Sequence, residues 1–326
     1  MSILIERLSH TFAHGTPFAR TALREITLKL DAGSRIGIAG RSGSGKTTLI
    51  QHLNGLLRPT GGTISVNGLD ASPRNLKELR RRVGMVFQQP EQQLFGETVF
   101  KEVAFGLSGS GITASETGRR VRDALHAVGL GEEILDRSPF SLSCGEKRRV
   151  AIAGVLVTEP EILVMDEPTA GLDPQGRREI LDFISGIQRE RGLTLIMVSH
   201  NMDDLARICD RVVVLDSGAV AMDGKTREVF RDIGALERAG LKAPQISYLM
   251  MRLKRRIPEL DDTVLTVEEA RVELGRVWRM KRGETGRHDE RDDHGEVFPR
   301  RFDYSQIGSE NKNNPDSDFY DRCFSC

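Results

Sequence analysis

Cysteine is scarce: the 326 residues hold four, Cys144, Cys209, Cys323 and Cys326. So few thiols do not make a disulfide framework, and they read as free cysteines of a reducing compartment. The terminal C-x-x-C of Cys323 and Cys326 offers two ligands, short of a zinc site, and no strand–helix context supports a redox motif. Net charge is lacking too. Lys plus Arg number 47 and Asp plus Glu number 47, so no overall basic charge points to a nucleic-acid partner. Long apolar runs are missing: a stretch such as residues 150–157 falls well short of the ~18 residues that span a bilayer. The opening MSILIERLSH is mixed from its sixth residue, unlike a basic-then-apolar signal segment. The chain is therefore expected to be soluble and cytoplasmic, with any membrane role supplied by a partner. Its length allows one large domain, or one domain with an appendage.

What is present is organised around residues 40–48, GRSGSGKTT. The stretch fits G-x-x-x-x-G-K-[ST] through Gly40, Gly45, Lys46 and Thr47. An apolar run at 35–39 reads as a buried strand before it. Leu49, Ile50, Leu53, Leu56 and Leu57 follow at helical spacing. A chance glycine-rich turn would lack this strand-to-helix setting. Glycines let successive N–H groups turn inward as an anion nest, and a helix N-terminus adds free N–H groups and partial positive charge. Lys46 can reach the β- and γ-phosphates, and the Thr47 hydroxyl can ligate Mg²⁺. The stretch implies a nucleoside triphosphate site.

Around it, residues 3–12 and 25–30 read as strands, the second with period-two alternation. Residues 63–66 run into Asn67-Gly68, a tight-turn signal. These segments predict a small antiparallel sheet flanking the core. Phe12 could stack on an adenine ring, although taken alone an aromatic there is more readily a packing residue. Residues 82–88 read as a strand ending at Gln88, whose amide oxygen could ligate Mg²⁺ or orient a water; by itself the glutamine-rich segment is more readily a solvated loop. Residues 99–107 and 116–128 have helical patterning, split by a Gly/Ser loop at 108–111, and make a helical insert. Leu142-Ser143-Cys144-Gly145-Glu146 opens a further helix, read as residues 146–156, with Ser141 or Ser143 available as its cap. The apolar strand 162–165 ends in Asp166-Glu167, where ligands gather in parallel sheets. Acidic residues at a strand end also suit a solvated turn, so this pair gains meaning from the phosphate loop. His200 follows another buried strand at 193–199, and 211–215 with 219–222 form a hairpin across Asp216-Ser217-Gly218.

Taken in order, these motifs resemble the ATP-binding cassette ATPases. Walker A lies at 40–47, the Q-loop at Gln88, a signature loop at 142–146, Walker B at 162–167, the D-loop at 170–173 (AGLD) and the switch histidine at His200. The match runs from residue 3 to about 230. GTPF at 15–18, IQHLNGLLRPTGG at 50–62, PEQQLF at 90–95, RSPFSLSCGEKRRVAIAGVL at 137–156 and VSHNMDD at 198–204 are similar to the ATPase subunits of energy-coupling factor transporters. The resemblance implies an α/β fold: a P-loop NTPase core with a small antiparallel β subdomain, a helical subdomain and a C-terminal helical extension. It implies ATP hydrolysis that powers uptake of a vitamin or a transition-metal ion. The expected partners are a second ATPase subunit, a transmembrane coupling protein and a substrate-binding membrane subunit, with the chain peripheral on the cytoplasmic face of the membrane.

Roles carry over by position. Gly40, Ser42, Gly43, Ser44, Gly45, Lys46, Thr47 and Thr48 would hold the phosphates, and Phe12 would take the adenine platform, where tyrosine is commoner. Thr47, Gln88 and Asp166 would hold Mg²⁺. Glu167 would be the general base, with His200 on the γ-phosphate. Asp173 of the D-loop joins the nucleotide-binding set, and Ser143 and Gly145 would reach ATP held by the opposite subunit. One departure stands out: the signature loop has Cys144-Gly145 where two glycines are usual, and Glu146 replaces glutamine. The retained Gly145 leaves backbone access, so a working but weakened site is expected. The expected domains are residues 1–230 as the nucleotide-binding domain, 231–280 as a helical dimerisation extension, and 281–326 as a disordered polar tail. His288 and His294 fall in that tail, where a solvated charge run is the simpler reading than metal binding. The competing readings are an ATPase of another transporter class and a soluble cassette acting on DNA or ribosomes. The short insert and single Walker A disfavour the second.

Overall fold

The computed structural model describes residues 2–281. The expectations for the polar tail, for His288 and His294, and for Cys323 and Cys326 lie outside the described residues. Contacts group Met1–Trp278 as one unit and Arg279–Cys326 as a second, of which only 279–281, the end of the last helix, are described.

Strand β1 (Ser2–Phe12) pairs antiparallel with β2 (Arg20–Asp31). Both strands are bulged: Arg7 has φ 48° and Glu25 has φ 46°. Each bulge shifts the side-chain phase by one residue. Ile3 and Ile5 face inward before the first bulge, and Leu8 and His10 after it. The strands therefore keep one apolar face along a bent path. Next come β3 (Arg35–Gly40), helix α1 (Lys46–Leu53), and the pair β4 (Gly61–Val66) and β5 (Leu69–Asp70). Asn67 and Gly68 both have positive φ, 50° and 79°, the conformation of a type I′ hairpin turn. The first sheet has the order β2-β1-β4-β5. This is the expected small antiparallel sheet.

Helix α2 (Leu76–Arg82) leads into β6 (Val83–Val86). Helices α3 (Val99–Ala104), α4 (Ala114–Ala127) and α5 (Cys144–Leu156) form the helical insert. Strand β7 (Ile162–Asp166), α6 (Pro174–Arg191), β8 (Thr194–Val198), α7 (Met202–Ile208), β9 (Arg211–Asp216) and β10 (Ala219–Lys225) complete the core. The second sheet has the order β10-β9-β3-β8-β7-β6, parallel except for the β9–β10 hairpin. Every residue of β6, β7 and β8 is buried. Their side chains alternate between two cores. Leu163, Met165, Leu195 and Met197 face one; Ile162, Val164, Ile196 and Val198 face the other. Helices cover the first core, and the antiparallel sheet together with α1 and α2 covers the second. At roughly 1.5–3 kcal/mol per buried aliphatic side chain, this double face anchors the strand ends that carry the chemistry.

Two expectations need correction. Helix α1 stops at Leu53, so Leu56 and Leu57 are not on its apolar face, and Leu56 is exposed. Asn54 and Gly55 (φ 68°) terminate the helix, and a Cβ on Gly55 would lie 2.4 Å from Leu76 Cδ2. Helix α5 starts at Cys144 rather than Glu146, because Ser143 is its N-cap. The Ser143 hydroxyl accepts from Glu146 N, and the Glu146 carboxylate accepts from Ser143 N, a reciprocal capping box. After β10, the patterned C-terminal region resolves into α8 (Thr226–Arg231), α9 (Ile233–Arg238), α10 (Gln245–Lys254) and α11 (Val267–Lys281). Ile246, Met250, Leu260, Val264, Ala270 and Val277 form their own apolar cluster there. Among the described residues no helix is long and apolar enough to cross a membrane.

Candidate functional site

The carboxyl ends of β3, β6, β7 and β8 lie side by side and open onto a cleft of about 590 Å³. It is lined by the expected residues Phe12, Ser42, Gly43, Gly45, Lys46, Thr47, Thr48, Gln88, Asp166, Glu167 and His200. These come from five separate stretches of sequence. The strand edge of a parallel sheet is where a ligand crevice forms.

The loop between β3 and α1 curls through glycines with different tasks. Gly40 has φ 155°, and a Cβ there would lie 2.5 Å from Leu215 O; at Gly45, φ 102°, it would lie 2.7 Å from Ala22 O. Neighbouring backbone packs where those side chains would stand. Gly40 and Ser44 support the loop without lining the cleft, and Ser44 is buried with its hydroxyl unpartnered. Lys46 Nζ folds back to donate to Gly40 O at 2.7 Å and Arg41 O at 3.0 Å. Burial lowers its pKa, opposed by the charges of Glu167 and Asp166.

Thr47 Oγ1 donates to Asp166 Oδ2 at 3.2 Å. Asp166 ends β7 and is only 7% exposed. Burial raises its pKa, and the Thr47 hydroxyl partly offsets that. A hydroxyl and a buried carboxylate at this separation are hard oxygen donors of the type that Mg²⁺ takes alongside substrate phosphates. The donor set fits that ion, and Gln88 on the cleft wall adds an amide oxygen.

Glu167 follows with φ 52°, a conformation that L side chains adopt rarely. Its Oε1 accepts from the His200 backbone N at 3.0 Å. His200 Nδ1 approaches Oε2 at 2.8 Å, within ion-pair range but out of hydrogen-bond alignment. Oε2 is thus a buried carboxylate oxygen that receives no hydrogen bond. Glu167 lines the cleft with Lys46, and a carboxylate oxygen that receives no hydrogen bond can accept a proton from a water that reaches it.

Phe12 stands at the end of β1, 42% exposed, its ring edge-on to His10 with centroids 4.5 Å apart. It lines the cleft, which favours the base-platform role over simple packing. His10 in turn meets His52 of α1 at 3.2 Å, and His52 Nδ1 sits 2.7 Å from Thr48 O, linking the platform to the phosphate loop. Ser143, Gly145 and Asp173 do not line this cleft. Ser143 caps α5, Gly145 has open space where a Cβ would be, and Asp173 caps α6 by accepting from Gly176 N at 2.6 Å.

Arg20, Thr21, Ala22, Arg24, Ser217 and Gly218 also line the cleft and were not foreseen. Strand β2 begins at Arg20, five residues before the alternating pattern, because the Glu25 bulge breaks the period there. The β9–β10 turn is visible in sequence, but its contact is not. Gly218 O accepts from Arg24 N at 2.8 Å, and Gly218 N donates to Ser44 O at 3.2 Å.

Comparison with known proteins adds to this geometry. A family model described as ABC transporter matches residues 23–170. The energy-coupling factor transporter ATP-binding protein EcfA2 of Acetivibrio thermocellus is 50% identical over 279 residues, covering 86% of this chain and 99% of the relative. Its counterpart from Symbiobacterium thermophilum is 50% identical over 285 residues, covering 87% and 99%. The solved structure of cbiO1 from Clostridium perfringens, part of the ABC transporter complex cbiONQ, superposes with a TM-score of 0.66 at 38% identity, over 76% of this chain and 98% of that one. The ATP-binding cassette MJ0796, solved as a dimer in a post-hydrolysis state with ADP and Pi, gives 0.61 at 27% identity, over 69% and 98%. With half of all positions shared along nearly the full length of its relatives, the chain belongs to the ABC transporter family, among the ATP-binding proteins of energy-coupling factor transporters.

Proposed function

We propose that this chain hydrolyses ATP in a head-to-tail pair of cassettes, and that the pair drives uptake of a vitamin or transition-metal ion through membrane partners. One observation carries the reading. A single cleft holds the Lys46 ammonium, the Thr47–Asp166 hydroxyl–carboxylate pair, and a Glu167 oxygen with no hydrogen-bond donor. Lys46 would leave its carbonyl acceptors for the β- and γ-phosphates, where its charge offsets the charge that develops in transfer. Thr47, Asp166 and Gln88 would hold Mg²⁺, which when bound neutralises the β- and γ-oxygens. Glu167 Oε2 takes the proton of the water that attacks in line with the leaving β-phosphate oxygen, and His200 contacts the γ-phosphate. Phe12 carries the adenine, and Arg20 and Arg24 supply positive charge at the cleft wall.

Ser143 and Gly145 stand outside their own cleft, at the open start of α5. They complete the opposite cassette's site, with Asp173 near the shared boundary. ATP held between the two cassettes favours the closed pair, and loss of the γ-phosphate releases it. Residues 1–230 are the cassette, and 231–280 help the pair to form, which suits the separate apolar cluster of that region. A transmembrane coupling protein, holding a substrate-binding membrane subunit, reads the opening through the surface of residues 88–95. Phe95 and Phe105 are exposed there and stack edge to face at 4.8 Å. The chain thus acts as a peripheral protein on the cytoplasmic face.

Glu167→Gln tests the chemistry. Losing the proton acceptor is expected to slow hydrolysis by about 10²–10⁴-fold, while ATP-locked pairs accumulate on size exclusion. Hydrolysis at the wild-type rate, with no such pairs, would remove Glu167 from the role.

A further inference from the structure

Arg148 is the largest side chain that the described structure buries completely, 2% exposed. It lies on α5, one turn beyond the Ser143 cap. Its guanidinium grips two segments that are distant in sequence. Nε donates to Glu91 Oε2 at 3.0 Å, and Nη2 donates to Glu91 Oε1 at 2.8 Å, a bidentate pair. Nη1 donates to Pro168 O at 3.0 Å, and Nη2 also reaches Ala170 O at 3.1 Å.

Those two carbonyls belong to the main chain immediately after Glu167. The same short segment is held from its other side. Thr169 Oγ1 donates to the buried Asp204 at 2.6 Å, and Asp204 is paired with Arg177. Glu167 itself has φ 52°, a conformation that persists only where its surroundings over-determine it. Glu91 stands three residues after Gln88, in the turn Pro90–Gln93. Burial disfavours its ionised form, but the Arg148 hydrogen bonds and charge prevail and hold its pKa below the ordinary range.

We infer that Arg148 is a positioning residue for hydrolysis, which ties the turn carrying Glu91 to the backbone behind Glu167 so that the carboxylate holds its working geometry only while both grips are made. The inference rests on the reading of Glu167 as general base. A shift of the Glu91 turn is then felt at Glu167 through one side chain. No change at the bound phosphates is required.

The test measures kcat and KM for MgATP in the full-length, membrane-assembled protein. Arg148→Met with Glu91→Leu removes both buried charges together, which spares the fold the penalty of one unpaired charge. This double variant is expected to keep its ATP affinity within about twofold while kcat falls about 10²-fold, the scale of a small misplacement of a reacting group. A wild-type kcat, or a raised KM with kcat unchanged, would overturn the inference. Glu91→Gln keeps the volume and one acceptor oxygen but takes the counter-charge from Arg148, so it tests the same link through a smaller change of shape, with the fold checked by its melting curve. A several-fold fall in kcat at constant KM supports the link, and an unchanged kcat overturns it. Arg148→Lys keeps the charge but cannot span both partners; it is expected to stay slow, and full activity in it would contradict the bridging geometry. Glu167→Gln, run alongside, separates the two readings. If it hydrolyses ATP normally, the general-base assignment fails. If it is inactive while the Arg148 variants run at full speed, only the positioning role fails.

Discussion

Asp166 illustrates how a single residue trades stability for chemistry. It is almost fully buried at the end of β7, and burial raises its pKa. For a carboxyl group with a raised folded pKa, the stabilising contribution is present below the unfolded pKa and is lost as pH rises through the folded value. At neutral pH the ionised group therefore weighs against the fold when no cation is bound. Asp166→Asn is expected to raise the Tm by about 2–5 °C in Mg²⁺-free buffer above pH 7, and to abolish the stabilisation that Mg²⁺ with ATP gives the wild type. Thermal melts with and without MgATP check both halves. An Asn variant that melts lower, and still gains from MgATP, would remove Asp166 from the metal site. Glu167 stands one residue further, at positive φ, and shows the same trade in its backbone.

Elements decide how far such residues could be read from the chain alone. The phosphate loop, β7 with its acidic end, and β8 with His200 were legible because each joins a local pattern to its chemistry within ten residues. The β9–β10 and β4–β5 hairpins were legible through their turn residues. Arg20 and Arg24 were not, since the bulge at Glu25 breaks the alternation that marks β2. Arg148 and Glu91 carry no local signal either: 57 residues separate them, and an arginine on a basic helix start reads as solvated. The end of α1 was overrun because leucines continue at helical spacing past Gly55, where φ 68° stops the helix. At this scale the α5 cap gives a prediction. Ser143→Ala removes the hydroxyl that accepts from Glu146 N, and is expected to lower unfolding free energy by about 1 kcal/mol, read by urea denaturation. ATP affinity of the single chain should be unchanged, because Ser143 does not line its own cleft. Hydrolysis by the pair should fall if the residue completes the opposite site as proposed. A loss of single-chain ATP affinity would place Ser143 in its own site instead.

At the scale of the molecule, the two sheets share the burden differently. The six-stranded sheet is buried on both faces along β6, β7 and β8 and fixes the strand ends, while the four-stranded sheet brings Phe12, Arg20 and Arg24 over the cleft. The helical insert holds the signature loop at the start of α5 and reaches Glu91 and the D-loop through Arg148. Relative movement of these blocks is the motion an ATP-driven pair would use. A transporter role then depends on what the assembled pair touches. The most direct measurement is affinity purification of the full-length chain from membranes, with mass spectrometry of what accompanies it. The account predicts a second cassette, a transmembrane coupling protein and a small substrate-binding membrane protein, whose identity would also name the cargo. Recovery with ribosomes or DNA-associated factors, and without any membrane protein, would contradict it.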